Sequence, residues 1–60
     1  MKHFGFIVAH GYELWKGYLS AESQEKAKEL IKTQEWDDII DEYATDEFTQ
    51  GFEVVEIWEV

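Results

Sequence analysis

The spacing of apolar residues predicts a β-hairpin at the start of the chain. Residues 3–9 and 12–20 are rich in aromatic and β-branched side chains, and His10-Gly11 between them suits a two-residue turn. Alternation then gives this hairpin two apolar faces, which a sheet packed on one side only does not need. One face carries Phe4, Phe6, Val8, Trp15 and Leu19, and the other carries Ile7, Ala9, Tyr12, Leu14 and Tyr18.

A helix is predicted after the hairpin. Ser23 is a side-chain acceptor in the N-cap position, and Glu25 in the first turn suits the helix dipole. Apolar residues then recur at i, i+3 and i+4, as on the buried side of a short helix: Ala27, Leu30 and Ile31.

Residues 36–43 repeat the helical spacing, with apolar side chains at Trp36, Ile39, Ile40 and Tyr43. This predicts either a second short helix or a continuation of the first, bent near Thr33-Gln34. Such a helix would hold two like-charge pairs at i,i+4, each destabilising by roughly 0.2–0.5 kcal/mol. A local rule broken without structural gain is typical of a functional segment.

The remaining residues complete an α+β fold. Residues 44–51 are predicted as a loop and residues 52–60 as the last strand. The order β-β-α-(α)-β gives a three-stranded antiparallel sheet, order 2-1-3, because a right-handed crossover leaves the first strand central. We expect the helices on one face and a single small acidic domain over residues 1–60. The uncovered sheet face predicts an interface, for which we expect a homodimer or a bound partner.

The charge of the chain is strongly negative and unevenly distributed. Fourteen acidic residues face five lysines, a formal net charge of -9. The first 32 residues hold all five lysines and four glutamates, a sum of +1, whereas the last 28 hold ten acids and no base, a sum of -10. Such a balance excludes a nucleic-acid binder with a basic footprint and disfavours binding to anionic lipid.

Candidate catalytic chemistry is sparse. The chain has no cysteine, which excludes disulfides, zinc-thiolate sites and a thiol nucleophile. His3 and His10 have no Ser/His/Asp arrangement around them, and no calcium-loop or phosphate-binding motif is present. We therefore expect a protein that is not an enzyme and that uses no metal or cofactor. With no apolar run of about 20 residues, we expect it in the cytoplasm of an infected or host bacterial cell.

Seven acids lie close together between residues 35 and 47, which favours a DNA mimic. B-DNA carries about one negative charge per 1.7 Å of axis, so a rigid acidic surface can occupy a basic groove in its place. The predicted partner-binding residues are Glu35, Trp36, Asp37, Asp38, Asp41, Glu42, Tyr43, Asp46 and Glu47. Trp36 and Tyr43 are either apolar anchors for the partner or part of the core.

The partner of such an inhibitor is a host or competing nucleic-acid-processing protein with a basic cleft. A uracil-DNA glycosylase, a restriction enzyme and a CRISPR nuclease, which would make the chain an anti-CRISPR protein, all fit. The protein itself is then expected to bind neither nucleic acid nor membrane. The alternative is a phage or plasmid interaction module, in which the acids only solubilise and the exposed sheet face binds a protein partner.

Two family resemblances favour the same setting. Tyr12-Glu13, Lys16-Gly17 and the serine-led helix from Ser20 to Ser23 resemble the short uracil-DNA glycosylase inhibitors of Bacillus phages. That resemblance implies a dimer presenting acidic residues and an apolar pocket to the enzyme's DNA-binding face. The longer segment at residues 33–51 departs from it, so none of the family's contact residues is transferred. The strand leading into Ala21 to Ala27 is similar to DpnD/PcfM-type domains of mobile elements.

Overall fold

Three secondary-structure elements make up the chain. A computed structural model describes every residue from Met1 to Val60. Strand β1 spans Lys2–Ala21, helix α1 spans Gln24–Lys32, and strand β2 spans Asp38–Glu59. The two strands pair antiparallel in one sheet. α1 has nine residues, and the structure contains no helix with the length and apolar character needed to cross a membrane.

β1 folds back on itself. Twenty straight residues would extend about 66 Å, but the longest dimension of the molecule is 34 Å. The two ends of β1 lie side by side, because His3 Nδ1 is 3.0 Å from Ser20 Oγ. The reversal occurs at Gly11, whose φ of +62° is a conformation that glycine adopts without steric cost. The two halves of β1 therefore occupy the middle of the sheet.

β2 runs along the outside of β1. Its last part pairs with the first half of β1, from Phe4–Glu59 to Ala9–Glu53, and its first part pairs with the second half. Every shift in register adds residues to β2, so that it uses seven more residues than β1 between the first and last pairs. β2 has the extra residues because it follows the outside of the turn of β1, where the path is longer than that of β1 itself. β2 thus supplies both free edges of the sheet.

The core lies between the sheet and α1. Ser23 caps the helix as predicted, since its Oγ accepts a hydrogen bond from the Lys26 N–H at 3.2 Å. The helix buries Ala27 and Ile31 against one sheet face. The fully buried cluster comprises Phe4, Phe6, Val8, Leu19, Ala21, Ala27 and Ile31. The division of the hairpin residues into two faces follows the predicted alternation, except that Ala9 on the second face is also buried.

The predicted three-stranded sheet with order 2-1-3 and helices on one face is wrong. The strands expected at residues 3–9 and 12–20 belong to the single continuous β1, and residues 38–51 are part of β2 rather than helix and loop. A helix over residues 36–43 would place like charges one turn apart. As a strand, the segment holds those i,i+4 charges about 13 Å apart and satisfies its backbone by pairing with β1.

Candidate protein-binding surface

Strand β2 carries eight exposed carboxylates along the edges of the sheet. β2 contains eight acidic residues and no basic one. We call Asp38, Asp41 and Glu42 the first acidic row, and Glu53, Glu56 and Glu59 the second acidic row. The two rows pair with opposite halves of β1, and Asp46 and Glu47 lie between them along the chain. Only Glu59 has a lysine nitrogen within 4 Å, that of Lys2 at 3.9 Å, so seven of the eight carboxylates lack an ion-pair partner.

The face of the sheet away from α1, which we call the uncovered face, carries apolar side chains together with one lysine and four carboxylates: Lys16, Asp38, Asp41, Glu53 and Glu56. Cross-strand partners share a face, and the face carries Ile7, Leu14, Tyr18, Tyr43 and Trp58. The Trp58 ring lies directly on Gly5, where any side chain would collide with it. Lys16 crosses the same face and places its Nζ 5.8 Å from the Trp58 ring centroid, in cation–π range.

Asp41 and Tyr43 form a small polar unit at the border of the uncovered face. The Asp41 side chain raises the pKa of Tyr43 above its usual value of 10.0, mainly by hydrogen bonding to the hydroxyl, with contributions from partial desolvation and from the carboxylate charge. Asp41 Oδ1 also accepts a hydrogen bond from the Glu42 N–H at 2.9 Å. The raised pKa of Tyr43 therefore depends on the Asp41 carboxylate being held close to the Tyr43 hydroxyl.

Replacing Asp41 by asparagine is expected to lower the pKa of Tyr43. The folded-state pKa is raised, so the protonated phenol stabilises the fold below the unfolded pKa, and this contribution disappears as the pH rises through the folded value. Ultraviolet absorbance at alkaline pH measures the titration in a background where Tyr12 and Tyr18 are replaced by phenylalanine. Asp38→Asn makes the same charge change opposite Tyr18 and is the control. An equal shift in both variants would rule out a specific contact with Asp41.

Two of the predicted partner-binding acids are used within the turn between α1 and β2. Glu35 accepts a hydrogen bond from the Thr33 hydroxyl at 2.6 Å. Asp37 accepts one from the Ser20 hydroxyl at 3.1 Å, and its backbone N–H donates to the Tyr18 carbonyl at 2.9 Å. The two contacts of Asp37 hold the chain against β1 where β2 begins, and the contact of Glu35 lies within the turn itself. Glu35 and Asp37 therefore have local structural roles.

Trp36 covers the core. Its ring lies 5.8 Å from Phe6, 5.8 Å from Trp15 and 5.7 Å from Phe52, measured between centroids. His10 extends this cluster by stacking on Phe52 at 4.3 Å. Trp36 thus continues the layer begun by α1, on the opposite side of the sheet from Tyr43. Trp36 therefore packs against the core, and the helix predicted over residues 36–43 does not form.

The structure therefore brings together only part of the predicted site. Asp38, Asp41 and Tyr43 share the uncovered face, because they pair opposite Tyr18, Lys16 and Leu14. Glu42 pairs opposite Trp15, on the side of the sheet that faces α1. Asp46 and Glu47 lie in the part of β2 that passes around the turn of β1.

Sequence reasoning missed two exposed apolar residues at register shifts of β2. Ile40 and Val55 are the extra residues where β2 shifts register, and their exposed fractions are 48% and 57%. Each follows a residue packed on the core, Ile39 or Val54, and Val55 also lines the open depression between α1 and β2. The doublets Ile39-Ile40 and Val54-Val55 break the alternation of a strand, and this was the signal that could have indicated bulges.

No group of three or more His, Cys, Asp or Glu side chains is arranged to hold a metal ion. An open depression between α1 and β2 is lined by Lys28, Lys32, Glu53, Val54, Val55, Glu56 and Ile57. No protein-family model matches this chain, and neither a curated protein nor a solved structure matches it.

Proposed function

We propose that this protein is a non-enzymatic inhibitor that acts as a DNA mimic, occupying the basic DNA-binding cleft of a nucleic-acid-processing enzyme. The observation that carries the proposal is the pair of acidic rows on opposite edges of one sheet, with no basic residue in β2. The enzyme is a uracil-DNA glycosylase, a restriction enzyme or a CRISPR nuclease. The inhibitor acts in the cytoplasm of an infected or host bacterial cell.

The arrangement of charge supports mimicry of a duplex. Two lines of carboxylates pair with opposite halves of β1, in a molecule whose longest dimension is 34 Å, as two lines of phosphates run along DNA. The paired backbone of the sheet holds each line in place, so that little conformational entropy is lost on binding. Five of the six row carboxylates have no ion pair within the chain, and a cleft lined by arginine and lysine would supply the missing partners. The field of so many like charges also steers a basic partner toward the inhibitor.

The uncovered face favours a second candidate function. Its exposed Tyr18 and Tyr43 offer an apolar contact that needs no charge. In that function the protein is an interaction module of a phage or plasmid, and the carboxylates keep it soluble and protect the free sheet edges from pairing with other sheets. The two functions differ in the salt dependence of binding.

Inhibition assays at two salt concentrations test the proposal. The purified protein is added to a uracil-DNA glycosylase, a restriction endonuclease and a CRISPR nuclease, each acting on its own DNA substrate. We expect one enzyme to be inhibited at about 0.05 M NaCl and released at about 0.5 M, where the screening length falls to roughly 4 Å. The enzyme's own activity at each salt concentration is the control. Partner binding that does not weaken with salt would refute mimicry and support the interaction module.

A further inference from the structure

We infer that the edge of β2 at residues 53–57 binds an extended segment of another protein, which adds to the sheet as a further strand. The segment carries lysine or arginine on one side and apolar and acidic side chains on the other. This binding does not rest on the proposed mimicry of DNA, because it uses hydrogen bonds between two main chains.

The backbone of β2 is free along this edge. The last part of β2 pairs on one side with the first half of β1, and no third strand lies beyond it. Six backbone hydrogen bonds lie outside the helix and the sheet, and none of them involves residues 53–57. Residues of a strand direct their N–H and C=O groups alternately to either side, so the outer groups of this stretch lack a partner. Such an edge is a template for pairing with another chain.

A groove runs along this edge. The five consecutive residues 53–57 line an open depression whose other wall is α1, through Lys28 and Lys32. Successive residues of a strand point to opposite faces of the sheet, so a depression lined by all five follows the edge itself. Val54 and Ile57 pack against the core and give the groove an apolar base. At about 3.3 Å per residue, a strand of about five residues fits along it.

The two sides of the groove carry opposite charge. On the helix side, Lys28 and Lys32 lie one turn apart, a like-charge pair that destabilises a helix, and neither has a carboxylate within 4 Å. On the uncovered face, Glu53 and Glu56 have no ion-pair partner either. Alternate side chains of an added strand point to the same two sides. A segment with basic residues beside the glutamates and an acidic residue beside the lysines therefore complements both.

These charges also decide which strands are excluded. A second copy of the same edge would place Glu53 and Glu56 beside their own counterparts, and like charges on neighbouring strands are destabilising. The bulge at Val55 further limits regular pairing. Charged side chains and bulges are the usual protection of a sheet edge. A strand with complementary charge avoids the repulsion, so the protection becomes a basis for selecting the partner.

Two short peptides test the inference. The probe is Lys-Val-Lys-Glu-Lys-Val-Lys with blocked ends and a fluorescent label, and its binding is followed by fluorescence anisotropy at about 0.15 M NaCl. The control peptide, Lys-Lys-Val-Val-Glu-Lys-Lys, has the same composition and charge but no alternation. We expect the probe to bind about tenfold more tightly than the control. Equal affinities would mean that charge alone attracts the peptides, which would overturn the inference.

Methylation of the peptide backbone tests for main-chain pairing. Only alternate N–H groups of a strand face a neighbouring strand. One modified probe carries N-methyl groups on its lysines, and the other carries them on its valines and glutamate. We expect one of them to lose about tenfold or more in affinity, while the other binds like the unmodified probe. Equal affinities of the two methylated probes would contradict pairing of the main chains.

Variants of α1 change affinity in the direction opposite to non-specific attraction. Lys28→Gln and Lys32→Gln each make the protein more acidic, which favours a basic peptide. Each should nevertheless weaken binding of the probe by roughly twofold to fivefold, because the glutamate of the probe loses a partner. Lys26→Gln makes the same charge change on α1 outside the groove and should not weaken binding. Unchanged or tighter binding by the Lys28 and Lys32 variants would refute the inference.

Hydrogen exchange of backbone amides, measured by NMR, locates the site. The probe should protect amides of residues 53–57 and leave the other free edge, at residues 38–44, unchanged. Protection at residues 38–44 alone would contradict the inference. Protection of residues 53–57 that grows with protein concentration without peptide would assign the edge to a second copy and also contradict it. None of these assays contains a nucleic-acid enzyme, so this inference and the proposed function can fail separately.

Discussion

Neutralising the first acidic row is expected to weaken binding to a basic cleft by roughly 100-fold at low salt. The variant is Asp38→Asn, Asp41→Asn, Glu42→Gln. These side chains are exposed, and none has a lysine nitrogen within 4 Å, so their removal breaks no ion pair of the fold. Each charge facing a cation of the partner contributes about 1 kcal/mol at a solvated interface, and three together contribute about 3 kcal/mol.

The chain offers a matched control for this variant. Glu22, Glu25 and Glu29 lie in or just before α1 and are also exposed. Changing all three to glutamine removes the same amount of negative charge from outside the two acidic rows. Inhibition constants are measured at low salt for the two variants and for the wild type. A third variant, in which the second acidic row is neutralised, tests the other edge of the sheet. If the α1 variant loses as much inhibition as the row variants, the net charge of the protein alone accounts for inhibition. The position of the carboxylates in rows then has no role.

Replacing Gly17 by alanine is expected to destabilise the fold by about 3 kcal/mol, near the upper end of the usual cost of overpacking. A Cβ at this position would collide with the Asp38 carbonyl oxygen and would lie 2.9 Å from both Ile39 Cδ1 and Phe6 Cζ. The carbonyl belongs to the backbone of β2, so no rotation of a side chain relieves the collision. A 60-residue domain has a total stability of roughly 3–9 kcal/mol, so the loss is a large part of it.

Thermal unfolding followed by circular dichroism measures this effect. For a domain of this size about 3 kcal/mol corresponds to a fall in Tm of roughly 12–24 °C. Ala44→Val adds methyl groups at an exposed position of β2 and is the control, with an expected change within about 0.5 kcal/mol. A Gly17→Ala protein with the Tm of the wild type would mean that β2 does not approach β1 this closely.

Several local features were predictable from neighbouring residues alone. Ser23 caps α1 because its hydroxyl lies within reach of the Lys26 N–H, and the stripe of Ala27 and Ile31 faces the sheet because helical spacing aligns them. The buried face of Phe4, Phe6 and Val8 follows from the period of two in a strand. These features depend on contacts between residues that are close together in the chain. Helix propensity and the spacing of apolar residues are therefore enough to predict them.

The segment from residue 36 to residue 43 was misassigned because its pattern fits two structures. Trp36, Ile39, Ile40 and Tyr43 have helical spacing, yet Ile39 and Tyr43 face opposite sides of a bulged strand. A bulge shifts the alternation by one residue and so imitates a helical period over a short range. Pairing of residues 38–44 with residues 13–18 decides which structure forms, and that pairing joins residues 20 or more positions apart.

By itself, the sequence determined the composition of the surface: the absence of cysteine, the net charge of -9, and the confinement of ten acids to the last 28 residues. It also determined the two apolar faces of β1, since alternation needs no knowledge of partners. Only the tertiary structure decided where the acids lie. β2 takes the outer path around a folded β1, because a strand that surrounds another must be longer and bulged, and this path places the acids in rows along both free edges.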